Sequence, residues 1–364
     1  MSGAMTGLDT ASQARLTWLR FRRHRMAMVG LAIVFLMYFV ALFAEPLAPF
    51  SPDKSNARLV FHPPQAVHFF EGWSFSPHVL PYRLARDPVT LQPAYVPDGS
   101  RKVKLGFFVA GDPYLLWGLF AGNIHFIGPE NPREAMFVLG ADRQGRDVLS
   151  RLIHGARASL SIGLVGVSIS LLIGITIGGI SGFFGGKVDW GVQRVIEFII
   201  SLPTIPIWLA LASILPKEWS PAAIYFTITL IISLVAWTEL ARVVRGRFLA
   251  LRGDSFVTSA WLDGCSQGRI IFRHMLPSLT SHIIAAVTLA IPNMILAETA
   301  LSFLGLGLKP PAISWGTLLR EAQNVQSIAA APWLLLPGAA VAITVLALNF
   351  LGDGLRDAAD PHAH

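Results

Sequence analysis

Ser159-Leu-Ser-Ile-Gly-Leu-Val-Gly166-Val-Ser-Ile-Ser170-Leu-Leu-Ile-Gly174-Ile-Thr-Ile-Gly178-Gly-Ile-Ser-Gly182-Phe-Phe184 runs without a charged residue. A bilayer core takes about 20 apolar residues as a helix, and a charge at its centre costs roughly 2.5–3.5 kcal/mol on insertion scales. The stretch is therefore expected to span a membrane. Small residues recur at every fourth position, Gly166, Ser170, Gly174, Gly178, Gly182 and Gly186. In lipid, helices associate through van der Waals contact rather than hydrophobicity, so this ridge predicts a close helical neighbour.

Working outward, five more charge-poor windows of spanning length occur at 26–44, 191–215, 222–241, 281–303 and 333–351, with Glu239 in the last turn of the fourth span. Over the whole chain 53% of residues are hydrophobic and 14% charged, with a mean hydropathy of +0.55, whereas a soluble domain is about one-quarter charged. Six spans put both ends on one side. Arg15, Arg20, Arg22, Arg23 and Arg25 precede the first span, and Arg242, Arg245, Arg247, Arg252, Arg269 and Arg273 follow the fourth. The positive-inside rule makes both segments cytoplasmic and places 45–158, 216–221 and 304–332 outside. The net charge of +7 thus reports topology, and no basic face stands apart from these flanks to bind nucleic acid. About 19 apolar residues in the first span exceed a secretory h-region of 7–15, so it is expected to be a retained anchor. A single cysteine, Cys265, excludes an internal disulfide and a thiolate metal cluster.

Between Phe50 and Met136 the composition turns to Pro, aromatic residues and scattered charges, with alternation in Lys102-Val-Lys-Leu-Gly-Phe-Phe-Val109 and turn signals at Asp98-Gly99 and Asp112-Pro113. A small, partly β external domain is expected there. Its histidines, His62, His68, His78 and His125, are irregularly spaced and lack clustered carboxylates, which favours packing over metal binding. Leu139-Gly-Ala-Asp-Arg-Gln-Gly-Arg-Asp147 then reads as a turn, with Asp142, Arg146 and Asp147 capping and pairing locally, a role compatible with the alternative of a ligand site. It feeds an amphipathic helix over 148–157 that would lie at the membrane surface. The expected architecture is an all-α polytopic membrane protein: a cytoplasmic tail at 1–25, a first spanning helix at 26–48, an external insertion at 49–137, and a core at 138–364 with five further spans and a cytoplasmic loop at 242–280.

A membrane transporter draws on its own nucleotide site, an ion gradient or a partner. The nearest approach to a phosphate loop, Ser181-Gly-Phe-Phe-Gly-Gly186-Lys187-Val188, lacks both the first glycine and the magnesium-binding Ser or Thr. Gradient-driven transporters place ionisable groups near the midplane. Glu197 and Glu239 lie near inner ends of spans and Glu298 toward an outer end. No span pairs a nucleophile with a base, so the chain is not expected to be an enzyme. Energy is expected to come from outside the chain.

That points to the cytoplasmic stretch around Phe256-Val-Thr-Ser-Ala-Trp-Leu-Asp-Gly264-Cys-Ser-Gln-Gly-Arg-Ile-Ile-Phe-Arg-His-Met-Leu276-Pro277. Asp254 or Ser255 can cap a helix carrying Phe256, Val257, Ala260 and Trp261, and Gly264 can end it. Ser266 can cap a second helix with Ile270, Ile271, Phe272 and Met275 on its apolar side and Arg269 and Arg273 in water, stopped by Leu276-Pro277. Such a segment can rest on lipid headgroups, or its side-chain-free bend can admit another protein's backbone.

The segment resembles the EAA loop of bacterial ABC-importer permeases, with Gly264, Leu276 and Pro277 at the matching positions, Arg269 to Pro277 close to the peptide-type ending, Ala260 retained, and Thr258-Ser259 in place of Glu-Ala. Further motifs, Leu139 to Leu152, Gly182-Phe-Phe-Gly-Gly-Lys-Val-Asp189, Glu298-Thr-Ala-Leu-Ser-Phe-Leu-Gly-Leu-Gly307 and Asn349-Phe-Leu-Gly-Asp-Gly-Leu-Arg-Asp357 before Asp360-Pro361, are similar to the C-type permease of oligopeptide, dipeptide and nickel importers.

The resemblance implies the type I importer permease fold with six transmembrane helices, residence in the bacterial inner membrane and a heterodimer with a second permease. Two cytoplasmic ATPases that alone bind ATP and a periplasmic substrate-binding protein complete the implied assembly, and this chain holds no cofactor or metal. It implies that closure of the ATPases rocks the permeases through the coupling helices. Asp263, Gly264, Cys265 and Gln267 would enter the ATPase groove, and Thr258, Ala260, Arg269, Leu276 and Pro277 would complete the coupling motif. Oligopeptides or dipeptides are the expected cargo, with nickel, opines and oligosaccharides as alternatives within the class and a gradient-driven transporter as the alternative outside it. Glu298 is the expected polar group on the translocation path, with an ion pair between packed helices as its alternative role.

Overall fold

The computed structural model describes residues 13–86, 93–216 and 218–359; the first twelve residues of the tail and the Asp360-Pro361 pair lie outside them. The described residues fall into two compact units, one within 13–36, 161–301 and 342–359, the other within 37–160 and 302–341.

In the first unit, α1 (Gln13–Arg23) precedes α2 (Arg25–Leu42), which crosses into the second unit, as do α4 (Val148–Phe184), α11 (Thr280–Phe303) and α14 (Leu336–Ala359). With α7 (Pro221–Leu251) these make, among the described residues, five helices long and apolar enough to cross a membrane, and the pair α5 (Gly186–Ser201) and α6 (Thr204–Ser213) makes a sixth span if counted as one. The expected straight span over 191–215 is instead bent by 83° between the two helices. Pro203 is the cause: it cannot donate, and it forces Leu202 into extended backbone, with ψ of 138°.

The small-residue ridge of α4 packs on α7. A methyl group added at Gly174 would press on Leu240 and Ala241, at Gly178 on the Ala241 backbone, and at Gly182 on Phe248 and the Arg245 backbone. Ser233 Oγ donates to the Gly166 carbonyl at 3.0 Å, and Ser170 Oγ to the Ser233 carbonyl at 3.3 Å. Gly186 leaves the ridge: α4 ends at Phe184, and Gly185 and Gly186, both with positive φ, turn the chain into α5. That turn is locked by Asp189, which accepts from Ser181 Oγ and, through both carboxylate oxygens, from Arg245 on α7. Glycines serve the α2–α14 contact too, since Gly30 faces the Ala347 carbonyl and Gly354 faces Ala27.

Two expected helix boundaries move. The surface helix over 148–157 is the first part of α4, which runs unbroken from Val148; no proline interrupts it, and Val148, Arg151, Ala156 and Ser159 are buried in protein. The helix of the fourth span does not end near Ala241 but continues to Leu251, because arginines stop a membrane window without stopping a helix. Glu239, in the last turn of the apolar window, therefore lies well inside α7.

The second unit starts with the end of α2 and α3 (Ala44–Leu47) and contains a four-stranded antiparallel sheet in the order β1 (Val67–Glu71), β2 (Ser74–Val79), β5 (Val103–Leu116), β6 (Phe120–Pro129). A separate ribbon pairs β3 (Tyr82–Arg86) with β4 (Pro93–Pro97). Phe50, Val79, Val103, Leu105 and Met136 form the sheet's core. Asp98-Gly99 turns as expected, whereas Asp112-Pro113 sits at an irregularity within β5, where the register to β6 shifts between Ala110 and Tyr114. The histidines pack: His125 places its ring nitrogens against the carbonyls of Ala48 and Asp112, His62 lies among Tyr82, Tyr95 and Phe137, and His78 stacks on His68. The remainder of this unit carries α12 (Trp315–Leu319) and α13 (Val325–Ala330).

The turn before α4 carries both the capping and the pairing expected of it. Asp142 accepts from Arg146 Nε at 2.6 Å, and Arg146 Nη2 reaches Glu321 at 2.9 Å. Asp147 accepts from Ser150 N at 2.8 Å and Ser150 Oγ at 2.6 Å, as an N-cap does. Burial dominates the titration of Asp147 and pushes its carboxyl from 3.8 up to about 6, against the Ser150 hydrogen bonds. The folded chain thus holds this proton more tightly than the unfolded chain. Its stabilisation is full below about 3.8 and is lost as pH rises through about 6, an effect of at most about 3 kcal/mol. Thermal unfolding of the detergent-solubilised chain between pH 4 and 7 should show this downward slope, and Asp147→Asn, which keeps a capping oxygen, should flatten it. Equal slopes in the two proteins would contradict the assignment.

Candidate coupling surface and translocation cavities

After α7, α8 (Ser255–Leu262) begins at Asp254 and ends in a glycine turn. Gly264 has φ of 70°; its N–H bonds the Trp261 carbonyl at 3.0 Å and the Cys265 N–H bonds the Ala260 carbonyl at 3.1 Å. This pair of bonds is a Schellman cap, which needs a residue that tolerates positive φ. Ser266 then starts α9 (Gln267–Arg269), which passes without interruption into a π-helical turn, Ile270–Met275, and α10 (Leu276–Ser278). Leu276-Pro277 was expected to stop the helix and does not. Widening to i→i+5 bonding, seen in Leu276 N–H to the Ile271 carbonyl, accommodates the proline's missing donor.

The apolar residues of this segment divide into two sets. Val257, Ala260, Ile270 and Met275 are buried in one cluster with Phe183 of α4 and Val244 and Phe248 of α7, and Trp261 stacks on Phe183 at 6.0 Å. The segment is thereby rooted in the ends of two long helices. Leu262 and Phe272 are 84% and 68% exposed, and Thr258, Asp263, Gly264, Gln267, Arg269 and Pro277 are exposed with them. A side chain at Gly264 would meet nothing within 4 Å. Of the expected coupling residues, Ala260 thus faces inward, Cys265 and Leu276 are half-buried, and the rest share the open surface. Sequence reasoning missed Leu262, whose signal was an apolar residue on the polar side of α8.

Two cavities, of about 430 and 620 Å³, lie along α7 and α11. Glu239 and Asn293 line both. The smaller also holds Arg247, His282 and Arg356, with Arg247 Nη2 and His282 Nδ1 at 3.3 Å. Along α7, Arg247 lies about 12 Å beyond Glu239 at 1.5 Å per residue, so the cavity changes from acid and amide at one part to basic at another. Glu298, expected on the path, is 0% exposed and lines neither cavity. Asn293 was also missed; a lone amide beside Pro292 in an apolar span was its signal.

Residues 174–364 match the family described as binding-protein-dependent transport system inner membrane component, and residues 12–64 match the N-terminal TM domain of oligopeptide transport permease C. The chain is 38% identical over 229 residues to the oligopeptide transport system permease protein OppC of Haemophilus influenzae, covering 63% of this chain and 71% of that protein. It is 38% identical over 223 residues to the dipeptide transport system permease protein DppC of Alkalihalophilus pseudofirmus, covering 61% and 71%. With OppC of Bacillus subtilis it shares 29% over 344 residues, 94% of this chain and 88% of that one.

Exposure makes a direct prediction. In the chain alone, Leu262→Cys and Gln267→Cys, each with Cys265→Ser, should react with a water-soluble maleimide faster than Cys265 does in the natural sequence; equal rates would mean that the surface is covered. From the match over 174–364, more than half of its length, the chain belongs to the family of inner membrane components of binding-protein-dependent transport systems.

Proposed function

We propose that this chain is the C-type permease subunit of an ATP-driven importer of oligopeptides or dipeptides, multi-pass in the bacterial inner membrane with both termini cytoplasmic. The permease role and the peptide cargo rest on the family and on relatives named as oligopeptide and dipeptide permeases. A second permease completes the path, two cytoplasmic ATPases supply the energy, and a periplasmic binding protein delivers cargo.

The observation that carries the coupling role is the open Gly264 turn, exposed at its tip and buried at its root. Asp263, Gly264 and Gln267 enter the ATPase groove, flanked by Leu262 and Phe272. Ala260, Ile270 and Met275 transmit the movement inward to α7. Along α7, Glu239 lies about 18 Å from the helix end at 1.5 Å per residue, within reach of the same rigid body.

The path role expected of Glu298 passes to Glu239 and Asn293. A carboxylate exposed on an apolar helix is too costly to face lipid and must face cargo, water or a partner. A zwitterionic peptide suits a cavity that offers Glu239 and Asn293 to its ammonium end and Arg247 and Arg356 to its carboxylate.

In proteoliposomes with all partners, Gly264→Trp should abolish uptake while the permease pair still co-purifies; wild-type uptake would refute the docking role. Glu239→Gln should lower peptide uptake about tenfold, the equivalent of one charged hydrogen bond, and Glu298→Gln should not do so through peptide affinity. The chain reconstituted alone should take up nothing, whereas uncoupler-sensitive uptake would favour a gradient-driven transporter.

A further inference from the structure

The β5–β6 hairpin carries an apolar tip with no core to fill. Leu119 and Phe120 are 76% and 60% exposed, and Leu115, Trp117 and Ile124 are also exposed. From Leu105 to Phe126 the only charged side chain is Asp112, and it is consumed at the hairpin's middle by the Ser51 N–H at 3.1 Å and Lys54 Nζ at 2.8 Å. A surface made to dock a soluble protein usually has a polar rim. This one has none.

The hairpin's depth is fixed by contacts with the end of α2, whose final carbonyls have no helical partner. Trp117 Nε1 donates to the Leu42 carbonyl at 2.7 Å. Arg157 donates to the Ala41 and Leu42 carbonyls at 2.9 and 3.2 Å and pairs with Glu45 at 2.6 Å. Further along the hairpin His125 contacts the Ala48 carbonyl, so the strands run back along α3 toward the membrane helix and the tip is their membrane-ward end. A ladder of rings continues the exposed Phe39 side of α2 onto the hairpin, from Phe39 to Phe43 at 4.9 Å, Phe43 to Trp117 at 5.9 Å and Trp117 to Phe120 at 6.3 Å. A tryptophan and a snorkelling arginine at one level are the usual marks of a membrane–water boundary.

We infer that the hairpin tip, Leu115 to Phe120, is a lipid anchor that lies in the bilayer interface beside the end of α2. Trp117 and Arg157 sit at the headgroup level, and Leu119 and Phe120 enter the acyl boundary. The tip thus gives the β-containing unit a second point of attachment to the bilayer.

The test uses the full chain in liposomes with Cys265→Ser and a single new cysteine, Leu119→Cys, carrying an environment-sensitive fluorophore. Ser100→Cys, on an exposed turn, serves as the aqueous reference. The label at 119 should be quenched by nitroxide lipids, most strongly with the nitroxide about 5–10 Å below the headgroups, and should resist aqueous iodide that quenches the label at 100. Phe120→Cys should behave as Leu119→Cys does. Iodide quenching at both 119 and 120 without lipid quenching would overturn the inference, as would protection that appears only when a soluble protein is added.

Discussion

Close approach of α4 to α7 is the contact on which the spanning unit depends. Lipid offers no hydrophobic drive between helices, so the two must gain through packing, and packing needs backbones near enough for Ser233 to bond the Gly166 carbonyl. At Gly178 even a methyl group would collide with the Ala241 backbone. Both helices then deliver their ends to the segment around Gly264, Phe183 from one and Phe248 from the other. The same approach positions Glu239 between the two cavities.

Much of this was legible because membrane physics leaves few options. Charge-free length marked the spans, a four-residue repeat marked the α4 face, and Gly264 marked the turn between two short helices. What escaped notice has a common cause: hydropathy reports where a helix leaves lipid, not where it ends. Arg242 and Arg245 therefore closed a window while α7 went on to Leu251, and Glu239, in the last turn of that window, lies about three turns from the end of the helix. Pro203 and Pro277 went the other way. One broke a span that composition made continuous, and the other was absorbed by a π-helical turn that no local pattern announces.

The external residues were legible in class but not in arrangement. Alternation over Lys102–Val109 signalled a strand, yet β5 continues through Asp112-Pro113 to Leu116, because a bulge lets proline sit where no ladder bond is needed. Asp142, Arg146 and Asp147 were recognised as caps and ion pairs, but their link to Glu321 spans 175 residues of sequence and has no local signature.

The proposed coupling segment can act as a lever only if pulling on it moves α7 rather than peeling the segment away. Peeling would expose Val257, Ile270 and Met275, each now fully buried, at roughly 1.5–3 kcal/mol apiece, and would also break the Phe183–Trp261 stack. The combined cost exceeds the 2 kcal/mol or more that defines a single strong interface residue. A partner gripping the exposed turn would therefore displace α7 before it detached the segment. Rigidity at the root and openness at Gly264 are both required, which is why the inward-facing Ala260 matters as much as the residues a partner could touch.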